Sequence, residues 1–237
     1  MRRGSLLALG LAAGLTAACG STVRAPRTAP AAGAAAAWEL PPAALGTQRL
    51  YRAAYGGPEG DGSFRATLRL AAADRFEIVV ADRLGRGLYT LRVEGDGGWW
   101  LDHRRDAVCR DLSRLALPGL EDGPVEARAL PPLLLGAIPA AGATPEGAAA
   151  GGELELRDGA GRRWSATLDG GAAASWTLWD GDGPLWWWRR DGRGGVLSGR
   201  EGRQLRWQEA VVEPLAALPP QAPPADLPED CTPSPPG

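Results

Sequence analysis

The sequence of 237 residues contains no lysine and no asparagine, and it has one histidine, His103. A single histidine excludes a histidine-rich metal site and a histidine acid–base pair, which leaves the chain short of the commonest proton-transfer side chain. The acidic residues are scattered at turns, with no pair in an apolar context of the kind that makes a carboxylate couple. No enzyme, cofactor or metal centre is therefore expected. The formal net charge of −2 excludes a partner held through nucleic-acid phosphates. All 26 basic residues are arginine, a composition that GC-rich coding explains without invoking function. No apolar run is long enough to span a bilayer as a helix; the longest, Leu6 to Ala18, falls short of about 18 residues.

That short run has a context. Arg2 and Arg3 precede it, and the small residues of "LTAAC" lead to Cys19, the arrangement of a secretion signal. It resembles the bacterial lipoprotein signal, in which the cysteine is diacylated on sulfur and becomes the mature N-terminus, with Thr16 where an aliphatic residue is more usual. The other reading is an ordinary cleaved signal with an incidental cysteine. The resemblance implies residues 1–18 as signal peptide and Cys19 as lipid anchor. Gly20, where inner-membrane retention often takes aspartate, implies the outer membrane, facing the periplasm. After Cys19 only Cys109 and Cys231 remain. In an oxidising compartment an even pair can form a bridge across a long loop, or stay as two unpaired buried thiols.

Residues 19–45 are rich in Ala and Pro and read as a tether; residues 214–237, Pro-rich again, read as a tail that does not continue a sheet. Between them, 46–213 reads as one domain. "SFRATLRL" alternates with period two, placing Phe64, Ala66, Leu68 and Leu70 on one face. "RFEIVV" puts Phe76, Ile78 and Val80 inward, and "LYTLRVEG" does the same with Tyr89, Leu91 and Val93. Another strand follows in "GDGGWWLDHRRDAVC", and "GELELRDGAGRRWSATL" reads as a hairpin. The stretch from Ala174 to Val212 holds three or four more strands, divided by "DGDG", "DGRGG" and "GREG". The expectation is an antiparallel meander of roughly ten strands. The Asp-Gly pairs belong to its turns, since each lacks the rest of a calcium or phosphate motif.

One segment departs from this rhythm. In "ALPPLLLGAIPA", Pro131 and Pro132 suit a first helical turn, Leu133, Leu134 and Ile138 are apolar, and Gly136 and Pro139 limit the helix to a turn or two. Such a piece can cover the apolar face of a sheet, and with so little cover a cavity is expected. The consecutive tryptophans, Trp99–Trp100 and Trp186–Trp188, cannot all face one core, because strand neighbours point to opposite faces. Three arrangements remain open: both faces covered, rings lining a cavity and its rim, or an exposed aromatic patch.

From Gln48 to Val212 the order of "RFEIVVADRLGRGLYTLRV", "WWLD" and "LLLGAIP" resembles the family of the lipoprotein receptor LolB and its periplasmic relative LolA. The resemblance implies a mostly β fold: a curved antiparallel sheet forming an open half-barrel, with a short helical lid over a cavity that holds acyl chains. Phe64, Leu68, Phe76, Ile78, Val80, Leu91 and Trp100 would line it, with Trp186 and Trp188; Leu133, Leu134 and Ile138 would form the lid. The family's membrane-delivery loop carries a Pro-Leu-Gly sequence; Leu84 and Gly85 match it, while Arg83 replaces the proline and removes its fixed φ. The implied function is an outer-membrane lipoprotein that binds acyl chains and helps localise lipoproteins, with a periplasmic LolA-like carrier as partner. The alternative is a structural or interaction lipoprotein that binds a protein and no lipid.

Overall fold

The computed structural model describes residues 37, 39–58, 60–113, 126–140, 142–146, 152–181 and 183–231. Cys19, the signal and most of the tether lie outside these residues, as do parts of the stretch between Arg110 and Leu130. Thirteen strands form one sheet: β1 (Thr47–Gly57), β2 (Gly60–Ala72), β3 (Arg75–Ala81), β4 (Gly87–Glu94), β5 (Gly97–Asp102), β6 (Ala107–Cys109), β7 (Thr144–Pro145), β8 (Glu153–Arg157), β9 (Arg163–Asp169), β10 (Ala172–Asp180), β11 (Gly183–Asp191), β12 (Gly194–Gly199) and β13 (Gln204–Pro214). Their order is β6-β5-β4-β3-β2-β1-β13-β12-β11-β10-β9-β8-β7, antiparallel throughout. Two meanders are joined where the first and last strands pair. The edges, β6 and β7, do not meet, so the curved sheet stays an open half-barrel. The chain crosses from one edge to the other through a 3-10 turn (Ala127–Ala129) and a short helix, α1 (Leu130–Leu134), the one α-helix among the described residues.

The period-two pattern sets the inner face. Leu68, Leu70, Phe76, Ile78, Val80, Leu91 and Val93 are buried there, opposite one another in register. β1 was not expected as a strand, because "TQRLYRAAYGG" offers little apolar contrast; its partners supply it. Tyr51 and Ala53 face inward between Ala66 and Phe64 on one side and Glu209 and Trp207 on the other. A bulge at Leu50/Tyr51 against β13 bends the sheet at its central seam.

In the second meander indole rings fill the inner face. Trp164, Trp176, Trp186, Trp188 and Trp207 are all buried, with Trp164 edge-on to Trp176 at 5.2 Å and Trp176 stacked on Trp188 at 6.2 Å. β12 makes room for them by omitting side chains. A Cβ on Gly195 would lie 2.0 Å from Trp188 Nε1, and one on Gly199 2.8 Å from the Trp186 ring. Trp187 points outward and is 40% exposed.

The tail covers the outer face of the other edge. Trp99, Leu101 and Val108 form a second cluster closed by Leu227, and Trp99 Nε1 donates to the Gln221 carbonyl at 3.3 Å. Residues Pro228 and Asp230 hydrogen-bond Val108 on β6, a parallel bridge that shields this edge strand. Cys231 is disulfide-bonded to Cys109 with a Cα separation of 4.8 Å. Beneath the tail, Arg92 is buried with Glu77 (3.2 Å) and Glu94, and it donates to the Pro219 carbonyl. The consecutive tryptophans thus divide between the two faces: Trp99 lies under the tail, Trp100, Trp186 and Trp188 are packed inside, and Trp187 is at the surface.

Candidate functional site

The helical segment lies over the concave face. Leu130, Leu133 and Ile138 are buried against the sheet, and Leu134 is half-buried. Pro131 and Pro132 occupy positions whose N–H groups need no partner, and the turn closes through Leu135 N to Pro131 O (3.0 Å) and Ala137 N to Pro132 O (2.8 Å). Among the described residues its polar ties to the rest of the fold are few. Trp207 Nε1 donates to Leu134 O at 3.2 Å, Ile138 N to Ala37 O at 2.8 Å, and Ala127 N to Leu112 O at 3.0 Å, while Arg128 reaches Gly95 O. The lid is therefore seated mainly by apolar contact.

Under it lies an apolar void of about 30 Å³, lined by Tyr51, Ala53, Phe64, Ala66, Ile78, Val80, Leu130, Leu133, Leu134, Leu205 and Trp207. This is space for water-sized molecules, not for an acyl chain. Five of the twelve expected lining residues border it: Phe64, Ile78, Val80, Leu133 and Leu134. Leu68, Phe76, Leu91, Trp100, Ile138, Trp186 and Trp188 are buried in the same core and packed against their neighbours. The lid leucines and the indoles take up the volume that a longer cavity needs. Tyr51, Leu205 and Trp207 were missed in the sequence; the alternation in "LYRAA" and "LRW" was the available signal. Burial holds the Tyr51 phenol well above its ordinary pKa, against the opposing pull of Arg49.

The Leu84 loop joins β3 to β4. Leu84 is 80% exposed, and the loop's shape comes from Asp82. Its Oδ1 accepts from Leu84 N (2.8 Å) and Arg86 N (2.9 Å), its Oδ2 from Arg86 Nε (2.6 Å), and Gly85 adopts φ +83°. An aspartate thus presets the turn that a proline would otherwise constrain. The protein builds the same turn twice. In "DGAGR", Asp158 Oδ1 accepts from Ala160 N (3.0 Å) and Arg162 N (2.9 Å), Oδ2 accepts from Arg162 Nε (2.7 Å), and Gly161 has φ +81°. Ala160 stands where Leu84 stands in the first copy. In both aspartates partial desolvation raises the pKa, but hydrogen bonds outweigh it and hold each carboxyl below the usual range: from Arg86 and Leu84 at Asp82, from Trp164 and Arg162 at Asp158.

His103 is exposed at the end of β5, 2.9 Å from Thr90 Oγ1. Among the described residues no three His, Cys, Asp or Glu side chains gather where they could hold a metal ion, and no helix is long and apolar enough to cross a membrane.

No protein-family model and no curated protein sequence matches the chain. Solved structures do. A LolA superfamily protein from Nitrosomonas europaea superposes with a TM-score of 0.53 at 13% identity, over 79% of this chain and 93% of that one. A Vibrio parahaemolyticus domain named for outer membrane lipoprotein sorting gives 0.48 at 10% identity, over 73% and 86%. A DUF1329 family protein from Desulfovibrio piger gives 0.47 at 11%, over 73% and 87%. The curved, lidded half-barrel of this chain thus shares the fold of the Nitrosomonas europaea LolA superfamily protein.

Proposed function

We propose that this protein is a lipid-anchored envelope carrier or receptor that takes acyl chains under its lid and helps place lipoproteins in the outer membrane. In this reading Cys19 carries the anchor, a periplasmic LolA-like protein delivers the cargo, and the Leu84 loop touches the bilayer. The observation that carries it is the lid: a short apolar segment, with few polar ties, resting on a concave face that is apolar from Phe64 to Leu205. An acyl chain that displaces such a lid breaks only a few hydrogen bonds, chiefly Trp207 Nε1 to Leu134 O, while each buried CH₂ it offers contributes about 0.8 kcal/mol. The void of about 30 Å³ means that entry of a chain requires the lid to move. Acid–base chemistry has no comparable support, and we read the site as a binding site rather than an enzyme's.

The test is lipid content. Protein purified from its native envelope is extracted and analysed by mass spectrometry, and the stripped protein is titrated with a fluorescent fatty acid. Retained lipid and saturable binding are expected. Absence of both leaves the second reading, an envelope lipoprotein that binds a protein partner and no lipid, which the densely packed indole core favours.

A further inference from the structure

One end of the concave face is cationic. A pocket of about 220 Å³ opens beside the lid, bordered by Arg49, Arg190, Arg193, Glu209 and the Leu134–Gly136 segment. Three guanidiniums and a single carboxylate line it. Arg49 donates to Glu209 Oε2 (2.5 Å) and to Thr47 Oγ1 (3.1 Å), Arg193 donates to Glu209 Oε1, and Arg190 holds Ala173 O through two bonds (2.7 and 3.2 Å). These five bonds occupy a minority of the roughly fifteen N–H donors on three arginines.

The pocket adjoins the apolar void on three separate segments. Tyr51 lines the void and Arg49 the pocket, two residues apart on β1; Trp207 and Glu209 repeat the step on β13; Leu133 borders the void, Leu134 both spaces and Leu135 the pocket. A hydrocarbon tail in the first space would place its head in the second. Resting on the acyl-chain reading, we propose that Arg49, Arg190 and Arg193 bind the phosphate of a phosphate-bearing ligand at the mouth of the cavity. Phosphate suits the donors: it presents several oxygens to planar forks, and the single acidic partner leaves the pocket two positive charges in excess.

The intact protein is titrated with dioctanoyl phosphatidic acid, dioctanoylglycerol and inorganic phosphate, following tryptophan fluorescence. Phosphatidic acid is expected to bind at least about tenfold tighter than the diglyceride of the same chains. R190Q/R193Q should abolish that difference and leave diglyceride binding unchanged. R193Q alone, at an exposed side chain, should keep the wild-type melting temperature and still weaken phosphatidic acid binding by about threefold. Inorganic phosphate bound as tightly as phosphatidic acid supports the site and assigns it to free phosphate; much weaker binding supports a lipid headgroup. Equal binding of the two lipids overturns the phosphate site and leaves acyl-chain binding standing. If neither lipid binds, both readings are overturned.

Discussion

At the scale of the residue, the twin turns isolate what Leu84 contributes. The same Asp-x-x-Gly-Arg hydrogen bonds form around Ala160, so the turn needs no leucine at that place. Its side chain, 80% exposed, is then free to meet a bilayer, where burial is worth about 2 kcal/mol, enough to bias a loop already held near the surface. Leu84→Glu should leave the melting temperature and fatty-acid binding unchanged while slowing cargo transfer to liposomes severalfold; equal transfer removes the loop from delivery. The aspartates themselves titrate low. A depressed folded-state pKa gives stability that is present above the unfolded value of about 3.9 and lost as pH falls through the folded value. Carboxyl NMR should therefore find both midpoints below that of a model aspartate, with both hairpins losing order only in stronger acid. Gly195→Ala tests the ring packing. The added methyl meets Trp188 Nε1 and the Trp207 ring, and the strain should cost about 1–3 kcal/mol in chemical denaturation. An unchanged midpoint would mean that the indoles can yield.

At the scale of the element, the lid and the strands differ in how they are held. Strands exchange hydrogen bonds along their whole length, while the lid keeps Trp207 Nε1 to Leu134 O and a few backbone ties at its ends. Trp207→Phe retains most of the apolar area and deletes that bond, a change of about 1 kcal/mol. Amide exchange at Gly136 and Ala137 should quicken severalfold, and fluorescent fatty acid should enter faster, with strand amides unaffected. Uniform protection across the lid and β3 would show instead that the two open together. The lid was legible in the sequence because its prolines, leucines and glycine break a period of two. So were β2 to β4, whose alternation is nearly strict. β1 was not, since Leu50 and Tyr51 are both apolar and Ala53 and Ala54 are identical, so that only the pairing with β13 decides which face is buried. The cationic mouth was equally hidden. Arg49 and Arg193 stand far apart in the chain, and only the β1–β13 seam and the β11–β12 turn bring them to one glutamate.

At the scale of the molecule, the strands separate three features along one axis. The chain enters the sheet beside Gly46, at the end that carries the Arg49 mouth, whereas the Leu84 loop projects from the opposite end, where Arg65 pairs with Ala81. From Leu70 to the loop tip the distance along β2 and β3 is on the order of 30 Å. With the strands upright, the lipid proposed on Cys19 and the Leu84 side chain reach one bilayer only if the chain from Cys19 to Gly46 spans that length. Residues 19–37 alone could reach at most roughly 60 Å, so the length of the chain allows the span. Deleting residues 22–33 cuts the reach of residues 19–37 to at most about 25 Å. The deletion removes none of the described residues, so fatty-acid binding and the melting temperature should stay at wild-type values while transfer to liposomes falls as far as it does in Leu84→Glu. Combining the two changes should lower transfer no further, because each removes the same contact. Additive losses would mean that the tether and the loop act separately, and undiminished transfer by the short-tethered protein would mean that the domain lies flat on the membrane or that Leu84 does not reach it.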